Sequence, residues 1–372
     1  MDTFSHYQNI KTVDDLLSLL NEAKIEIYGD TAKPFNEKQL RYHRYSTLNP
    51  KRYVTFKIPK KKQGEFREIA APCDGLKSIQ KCLCLILSKS FTPNESATGF
   101  VQGKSIVDNA KKHIKRSFVF NIDLKDFFPS ITSGRVWKRL QSKPFEFPPN
   151  MASVISDLCC HHGVLPQGAP TSPIITNIVC ERLDRKLTAL SRKYKVHYSR
   201  YADDISFSAQ SNLFHEDGQF LQSVYSVITG EGFVVNSDKT HLRSLYERQE
   251  VTGIKVNSKL NVSAKYVKPI RTMLKNWEIG GYDYAQQIFL ANYHPTKYRR
   301  VKCEHHIENI LDGKIEYLRM VKGKDDSTYL KLKSRFDKLT GKSDTHIKTE
   351  EEKQTDTLLD SLIKNLSDII KT

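Results

Sequence analysis

The chain has 372 residues, more than one typical domain, and sets 59 Lys and Arg against 42 Asp and Glu for a formal charge of +17. That balance favours a polyanionic partner, either nucleic acid or an acidic membrane surface. No apolar run approaches the roughly 20 residues of a membrane-spanning helix, and the polar start Met1-Asp2-Thr3-Phe4-Ser5-His6 does not read as a signal peptide.

In chain order, Thr12-Val13-Asp14-Asp15-Leu16-Leu17 opens an amphipathic helix predicted to run to about Lys24. The stretch from Lys57 to Lys62 is basic and, on its own, reads as a solvated edge. Phe118-Val119-Phe120-Asn121-Ile122-Asp123 is an apolar β-type run ending in an acid, so it presents a carboxylate at a strand's end. Cys159-Cys160-His161-His162 offers adjacent ligands that suit one metal poorly, and no second Cys/His cluster of suitable spacing accompanies it. These four read as core thiols and half-exposed imidazoles. The seven cysteines, at 73, 82, 84, 159, 160, 180 and 303, imply a reducing cytoplasm.

Next comes Gly163-Val164-Leu165-Pro166-Gln167-Gly168-Ala169-Pro170-Thr171-Ser172-Pro173. Its glycines and prolines fix a backbone path that can approach a substrate closely, and the apolar run Ile174 to Val179 reads as a helix packed beneath it. The amide of Gln167 suits a nucleotide's sugar or base edge. Val196, Tyr198 and Arg200 alternate with His197 and Ser199, and Ile205, Phe207 and Ala209 alternate with Ser206 and Ser208, which predicts a hairpin. Tyr201-Ala202-Asp203-Asp204 then sits at its tight turn.

Asp123, Asp203 and Asp204 supply hard oxygen ligands from two segments. Mg²⁺ takes such ligands in near-octahedral geometry and keeps waters and substrate phosphates in its shell, so two or three carboxylates are a suitable protein contribution. In a two-metal site the ions stand roughly 3.5–4 Å apart and stabilise the attacking and leaving oxygens of an in-line displacement. Asp123 and Asp203 are assigned as bridging ligands of two Mg²⁺ ions, with Asp204 as the supporting acid, and the chemistry as phosphoryl transfer.

The order Asp123, Leu-Pro-Gln-Gly and Tyr-Ala-Asp-Asp resembles the palm of a reverse transcriptase. That resemblance extends to Lys60-Lys61-Lys62-Gln63-Gly64-Glu65-Phe66-Arg67-Glu68-Ile69, similar to the basic fingers hairpin in which a Lys and an Arg grip the incoming triphosphate. Arg67 is the choice there because its planar fork suits phosphate oxygens, with Lys62 in support. In Asp123-Leu124-Lys125-Asp126-Phe127-Phe128-Pro129-Ser130-Ile131 the family's sugar-sensing aromatic maps onto Phe128, whose ring would collide with a ribose 2′-hydroxyl. Burial in the core is the alternative, more natural for Phe127. Glu231-Gly232-Phe233-Val234-Val235-Asn236-Ser237-Asp238-Lys239-Thr240 resembles the next family segment, with Lys239 either facing the active site or on the surface.

Asn109-Ala110-Lys111-Lys112-His113 and Val251-Thr252-Gly253 resemble two short elements of bacterial retron reverse transcriptases. Asn109 and His113 are polar tips that either contact RNA or cap local turns. Thr252-Gly253 allows a close backbone approach to a phosphate or 2′-hydroxyl, with Val251 beside it.

The expected fold is therefore α+β, a right-hand polymerase. Its expected parts are a helical extension (1–53), fingers (54–116), palm (117–256), thumb (257–322) and a polar C-terminal tail (323–372). The thumb segment interleaves Lys and Arg with Tyr and Trp, as suits a surface that tracks a duplex and stacks on bases. In the tail, Leu358, Leu359, Leu362, Ile363, Leu366, Ile369 and Ile370 fall on one helical face, which either folds back on the thumb or docks a partner.

The retron resemblance implies an RNA-directed DNA polymerase that uses dNTPs and holds an RNA–DNA duplex. It also implies a structured noncoding RNA as template and 2′-hydroxyl primer, a branched RNA-linked DNA product, an effector protein and antiphage defence, with no membrane partner. The alternatives are a group II intron-like or other defence-associated reverse transcriptase and, in a different class, a noncatalytic RNA-binding scaffold.

Overall fold

The computed structural model describes residues 10–60, 64–292 and 305–341. Contacts divide the chain into two compact units, Met1–Ser105 with Ser117–Leu242, and Ile106–Arg116 with Arg243–Thr372. Residues 106–116, expected within the fingers, thus group with the segment after residue 243. The predicted amphipathic stripe at 358–370 lies outside the described residues.

In the first unit, helix α1 (Val13–Tyr28) opens on a capping box: the Thr12 hydroxyl accepts from the Asp15 amide while the Asp15 carboxylate accepts from the Thr12 amide. It runs one turn beyond Lys24 and stops at Gly29. Leu16, Leu19 and Leu20 form its buried face, and the helix packs on α3 (Asp74–Ser90), which buries Leu76, Ile79 and Leu83. Between them lie α2 (Glu37–Arg44) and the antiparallel hairpin β1 (Tyr53–Pro59) with β2 (Phe66–Pro72), in which Ile58 pairs with Arg67 and Phe56 with Ile69.

The centre of this unit is a four-stranded sheet. β3 (Phe118–Lys125) lies between β5 (Asp204–Ala209) and β6 (Val234–Ser244), and β4 (His197–Tyr201) flanks β5. α5 (Ser133–Leu140), α6 (Pro149–Cys159), α7 (Ser172–Lys193) and α8 (Gln219–Gly230) accompany it, with α7 in contact with both β4 and α8. The alternation predicted for β4 and β5 sets the hairpin, but burial does not alternate: Tyr198 through Tyr201 and Ile205 through Ala209 are all buried. The serines of one face turn inward because they find partners, as Ser206 does by donating to Asn121 at 2.8 Å.

The second unit begins with the short helix α4 (Ile106–Lys111), which packs on the hairpin β7 (Glu250–Val251) and β8 (Ile254–Lys255). Its turn residues Thr252 (φ 47°) and Gly253 (φ 77°) are both left-handed, the requirement of a two-residue hairpin whose twist matches its strands. The helices α9 (Ala264–Asn292), α10 (Ile307–Lys322) and α11 (Ser327–Thr340) pack on one another around Ile270, Leu274, Trp277, Leu311, Leu318 and Phe336. A break at Gly281 (φ 76°) kinks α9. The helical packing therefore continues past residue 322 into the segment read from sequence as tail. Trp277 stacks edgewise on Tyr282 and Phe336, so this aromatic serves the core.

Candidate active site

β3 delivers Asp123 into register opposite Asp204, the first residue of β5. β4 ends at Tyr201, which pairs across the hairpin with the same Asp204, leaving Ala202 and Asp203 as the two-residue turn. Ala202 takes a left-handed backbone (φ 55°), and the Leu124 amide donates to the Asp203 carbonyl at 3.1 Å. Strand pairing thus gathers the three acids, from segments 80 residues apart in sequence, at one end of the sheet.

Asp123 is nearly buried, and both of its oxygens are held. Asn236 Nδ2 donates to Oδ2 at 2.8 Å, and Lys239 Nζ lies 3.1 Å from Oδ1. Lys239 keeps about two thirds of its side chain in solvent, at 64% exposure, so it faces the acids from the open side. Asp203 is held well above the ordinary carboxylate range by burial first and by the Asp123 charge second, with Lys239 and Arg67 opposing. Asp204 shifts the same way, from loss of hydration, then from Asp203 and Asp123. The two cations do not neutralise the acids. Among the described residues no three His, Cys, Asp or Glu side chains close into a ready metal cage. The donor chemistry nonetheless fits a hard divalent cation, since these are oxygen ligands whose negative charge is under-compensated where they lie.

The turn itself is braced from behind. Arg200, fully buried, donates Nε and Nη2 to the two oxygens of Asp184 on α7 at 2.8 and 2.6 Å, Nη1 to the Ala202 carbonyl at 3.1 Å and Nη2 to Asn177 Oδ1 at 3.0 Å. Tyr198 donates its hydroxyl to Asp184 at 2.7 Å. Burial acts against the guanidinium's charge, but Asp184 more than offsets it and holds Arg200 above its ordinary value. Burial and Asp184 together raise Tyr198. Gly99 rests on the same turn: a Cβ there would stand 2.5 Å from the Ala202 amide nitrogen.

Leu-Pro-Gln-Gly is stitched to the β1–β2 hairpin. The Ala70 amide donates to the Gln167 carbonyl at 2.8 Å, and Gly168, left-handed at φ 113°, would place a Cβ 3.0 Å from the Ala70 carbonyl oxygen. Gln167 is half-buried, as is Arg67 on the joined strand. Lys62 lies outside the described residues. Phe128 is 7% exposed and Phe127 is 3% exposed, so both rings are enclosed, where the sequence had favoured only Phe127 for the core. They meet edge to face, with centroids 5.6 Å apart.

The two retron-like elements come together in the second unit, through α4 and the β7–β8 hairpin. Asn109, on α4, and His113, in the turn after it, are fully buried, which corrects the reading of them as polar tips offered to RNA and leaves the local structural role. Val251 is buried as well, and Thr252 donates its hydroxyl to the Ile106 carbonyl at 3.2 Å. Gly253 is the exposed member of the set. Cys159 and Cys160 are core thiols; burial pushes Cys160 up to about 12 and His161 down to about 4.

Sequence reasoning missed Asn236, Asp184, Asn177 and Gly99. Arg200 in phase with Val196 and Tyr198 was the available signal, because a buried guanidinium demands a carboxylate.

The family model described as "Reverse transcriptase (RNA-dependent DNA polymerase)" matches residues 58–273. Retron Mx65 reverse transcriptase of Myxococcus xanthus is 37% identical over 238 residues, covering 60% of this chain and 55% of that protein. Retron Ec86 reverse transcriptase of Escherichia coli is 32% identical over 225 residues, covering 60% of this chain and 69% of that protein. The chain thus spans between about half and two thirds of these relatives' length. A solved telomerase from Candida albicans, in complex with a fragment of telomeric RNA, is 13% identical at a TM-score of 0.41, over 90% of this chain and 69% of that one. A likeness at that level carries no argument.

Proposed function

The chain belongs to the retron reverse transcriptases, within the RNA-dependent DNA polymerase family and its α+β right-hand fold, and from that premise we propose that it copies a structured noncoding RNA into DNA. The observation that carries this reading is Asp123 in register with Asp204, with Asp203 in the intervening turn and two cations facing them.

Asp123 and Asp203 would hold two Mg²⁺ ions, with Asp204 in support, and the metals would supply charge stabilisation at the attacking and leaving oxygens. Asn236 orients the Asp123 carboxylate by its bond to Oδ2. Lys239, mostly exposed, would exchange Asp123 for a phosphate oxygen as substrate enters. Arg67, on the hairpin stitched to the Gln167 loop, grips the triphosphate, and Gln167 meets the sugar or base edge. Phe128 lies beneath the sugar and selects deoxynucleotides.

The retron relationship supports the finer reading. The RNA supplies both template and priming 2′-hydroxyl, the product is single-stranded DNA joined to RNA through a 2′,5′ linkage, and the enzyme works with an effector protein in antiphage defence in the cytoplasm. No described helix is long and apolar enough to cross a membrane. Thr252-Gly253 contributes to recognition of the cognate RNA through its exposed turn, while Asn109, His113 and Val251 act by shaping the unit that displays it.

The test is primer extension by the purified chain with and without Mg²⁺, beside sequencing of the nucleic acid that copurifies with it. The expected result is metal-dependent DNA synthesis and an RNA-linked DNA. Synthesis that persists in Asp123→Asn would remove the polymerase assignment of these acids. Extension without any RNA-linked product would leave a reverse transcriptase of another kind.

A further inference from the structure

The backbone at Phe100 is left-handed (φ 59°), a conformation that a bulky non-glycine residue keeps only where its surroundings enforce it. The enforcing contacts are specific. Asn177 on α7 donates through Nδ2 to the carbonyls of Gly99 at 3.0 Å and Phe100 at 3.3 Å, while its Oδ1 accepts from buried Arg200. One residue earlier, Gly99 is pressed against the Ala202 amide so closely that no Cβ fits. The Thr98 amide donates to the Arg200 carbonyl at 2.8 Å. Residues 98–100 are therefore clamped to the same turn that carries Asp203.

The clamp aims the Phe100 ring at two others. Its centroid lies 6.3 Å from that of Phe128 and 6.4 Å from that of Tyr201. Phe128 also meets Phe127, which stacks on Phe233 at 5.7 Å. Phe128 is thus backed by rings on two sides. Phe127 belongs to the deep core, but Phe100 is only half-buried and owes its place to the Asn177 clamp more than to burial.

A ring that excludes a ribose hydroxyl works only if it cannot retreat when the larger sugar arrives. We propose that Phe100 is a positioning residue for sugar selection, a buttress that the Asn177–Arg200 clamp holds against Phe128. The inference rests on the reading of Phe128 as the sugar-sensing ring. Removing the buttress gives Phe128 room to tilt toward the vacated space and admits the 2′-hydroxyl, with no change in the acids themselves.

Single-nucleotide incorporation on an annealed primer, with dNTP and rNTP compared in the full chain, tests it. Phe100→Ala is expected to lower the dNTP preference on the order of tenfold, mainly through a better KM for rNTP. Phe100→Leu, which keeps apolar volume, should restore most of it. Phe100→Ala with Phe128→Ala should match Phe128→Ala alone, because the buttress has nothing left to hold. If Phe128→Ala relaxes selection while both Phe100 variants retain the parental ratio, the buttress is wrong and the sugar-sensing reading stands. If Phe128→Ala leaves the ratio unchanged, that reading fails and takes the buttress with it. Should Phe100→Ala fail to fold, the Phe100→Leu ratio decides against Phe128→Leu: a partial relaxation supports the buttress and none overturns it.

Discussion

Two acidic places flank the β4–β5 hairpin, and they are solvated by opposite means. Asp184 is fully enclosed, yet both of its oxygens meet Arg200 and one also meets the Tyr198 hydroxyl. Asp203 and Asp204, at the open end, repel each other and Asp123, and Lys239 with Arg67 counters them only in part. The first arrangement is electrically complete. The second has spare negative charge, the condition in which a site gains from an incoming cation. A buried, matched pair sets geometry, whereas an unmatched group beside it retains the capacity to bind.

This contrast predicts unequal costs of substitution, in the following order of effect on folding stability. Arg200→Met leaves Asp184 buried without its partner and should cost roughly 3–5 kcal/mol in denaturant unfolding. Adding Asp184→Asn should recover part of that loss. A cost below that of an ordinary surface substitution would show that the pair is not the brace of the turn.

Gly99→Ala comes next. Its Cβ would meet backbone rather than a flexible side chain, 2.5 Å from the Ala202 nitrogen, so the turn must shift. Overpacking of this kind costs about 1–3 kcal/mol. Primer extension should fall even at temperatures where the variant remains folded, because the displaced atoms adjoin Asp203. Full activity in a destabilised protein would separate the brace from the acids.

Asp203→Asn reverses the pattern. Removing one of three mutually repelling charges should leave metal-free stability unchanged or slightly higher, within about 1 kcal/mol, while primer extension falls to background and RNA binding persists on the basic surface. Retained extension in Mg²⁺ would end the metal assignment.

The acids were legible in the sequence because their signals are local. An apolar run ending in Asp123 and a period-2 pattern from Val196 to Ala209 around Tyr201-Ala202-Asp203-Asp204 are each visible within one short segment. The brace was not, since Asp184 and Arg200 meet only when α7 lies against β4. Asn236 is one of several polar residues on β6, and nothing in its sequence neighbours announces Asp123 as its partner. The retron-like elements were legible as segments, but their inward orientation depends on α4 packing against a hairpin some 140 residues later in the chain. The enclosure of Phe128 was not legible either, because it depends on Phe100, distant in sequence.

A pH series sharpens the comparison further. A carboxyl whose folded-state value lies above its ordinary value of 3.8 is protonated in both states at low pH and adds no difference there. As pH rises, the unfolded chain ionises first, so these two groups progressively subtract from the stability of the metal-free protein until they ionise in the folded state as well. Mg²⁺ competes with those protons. The rise in Tm produced by adding Mg²⁺ should therefore be larger at about pH 7.5 than at about pH 5, and the dependence should weaken in Asp203→Asn. An equal rise at both pH values would place the bound metal elsewhere.

The smallest effect belongs to Lys239→Met. Its ion pair with Asp123 is mostly solvent-exposed on the lysine side, and such pairs contribute about 0–1 kcal/mol. Tm in the absence of metal should hardly move. Function should separate from stability here, because the lysine is a cation in contact with Asp123 whose exposed side chain can leave it for a phosphate. The expected outcome is a higher KM for dNTP with a nearly parental melting curve. Asn236→Ala, which removes the other bond to Asp123, should instead shift the Mg²⁺ concentration needed for half-maximal extension, since it releases the carboxylate's orientation rather than a mobile charge. If both variants behave alike, in KM and in metal requirement, the two contacts are only structural supports of Asp123. If they divide as described, one side chain sets the ligand and the other serves the substrate.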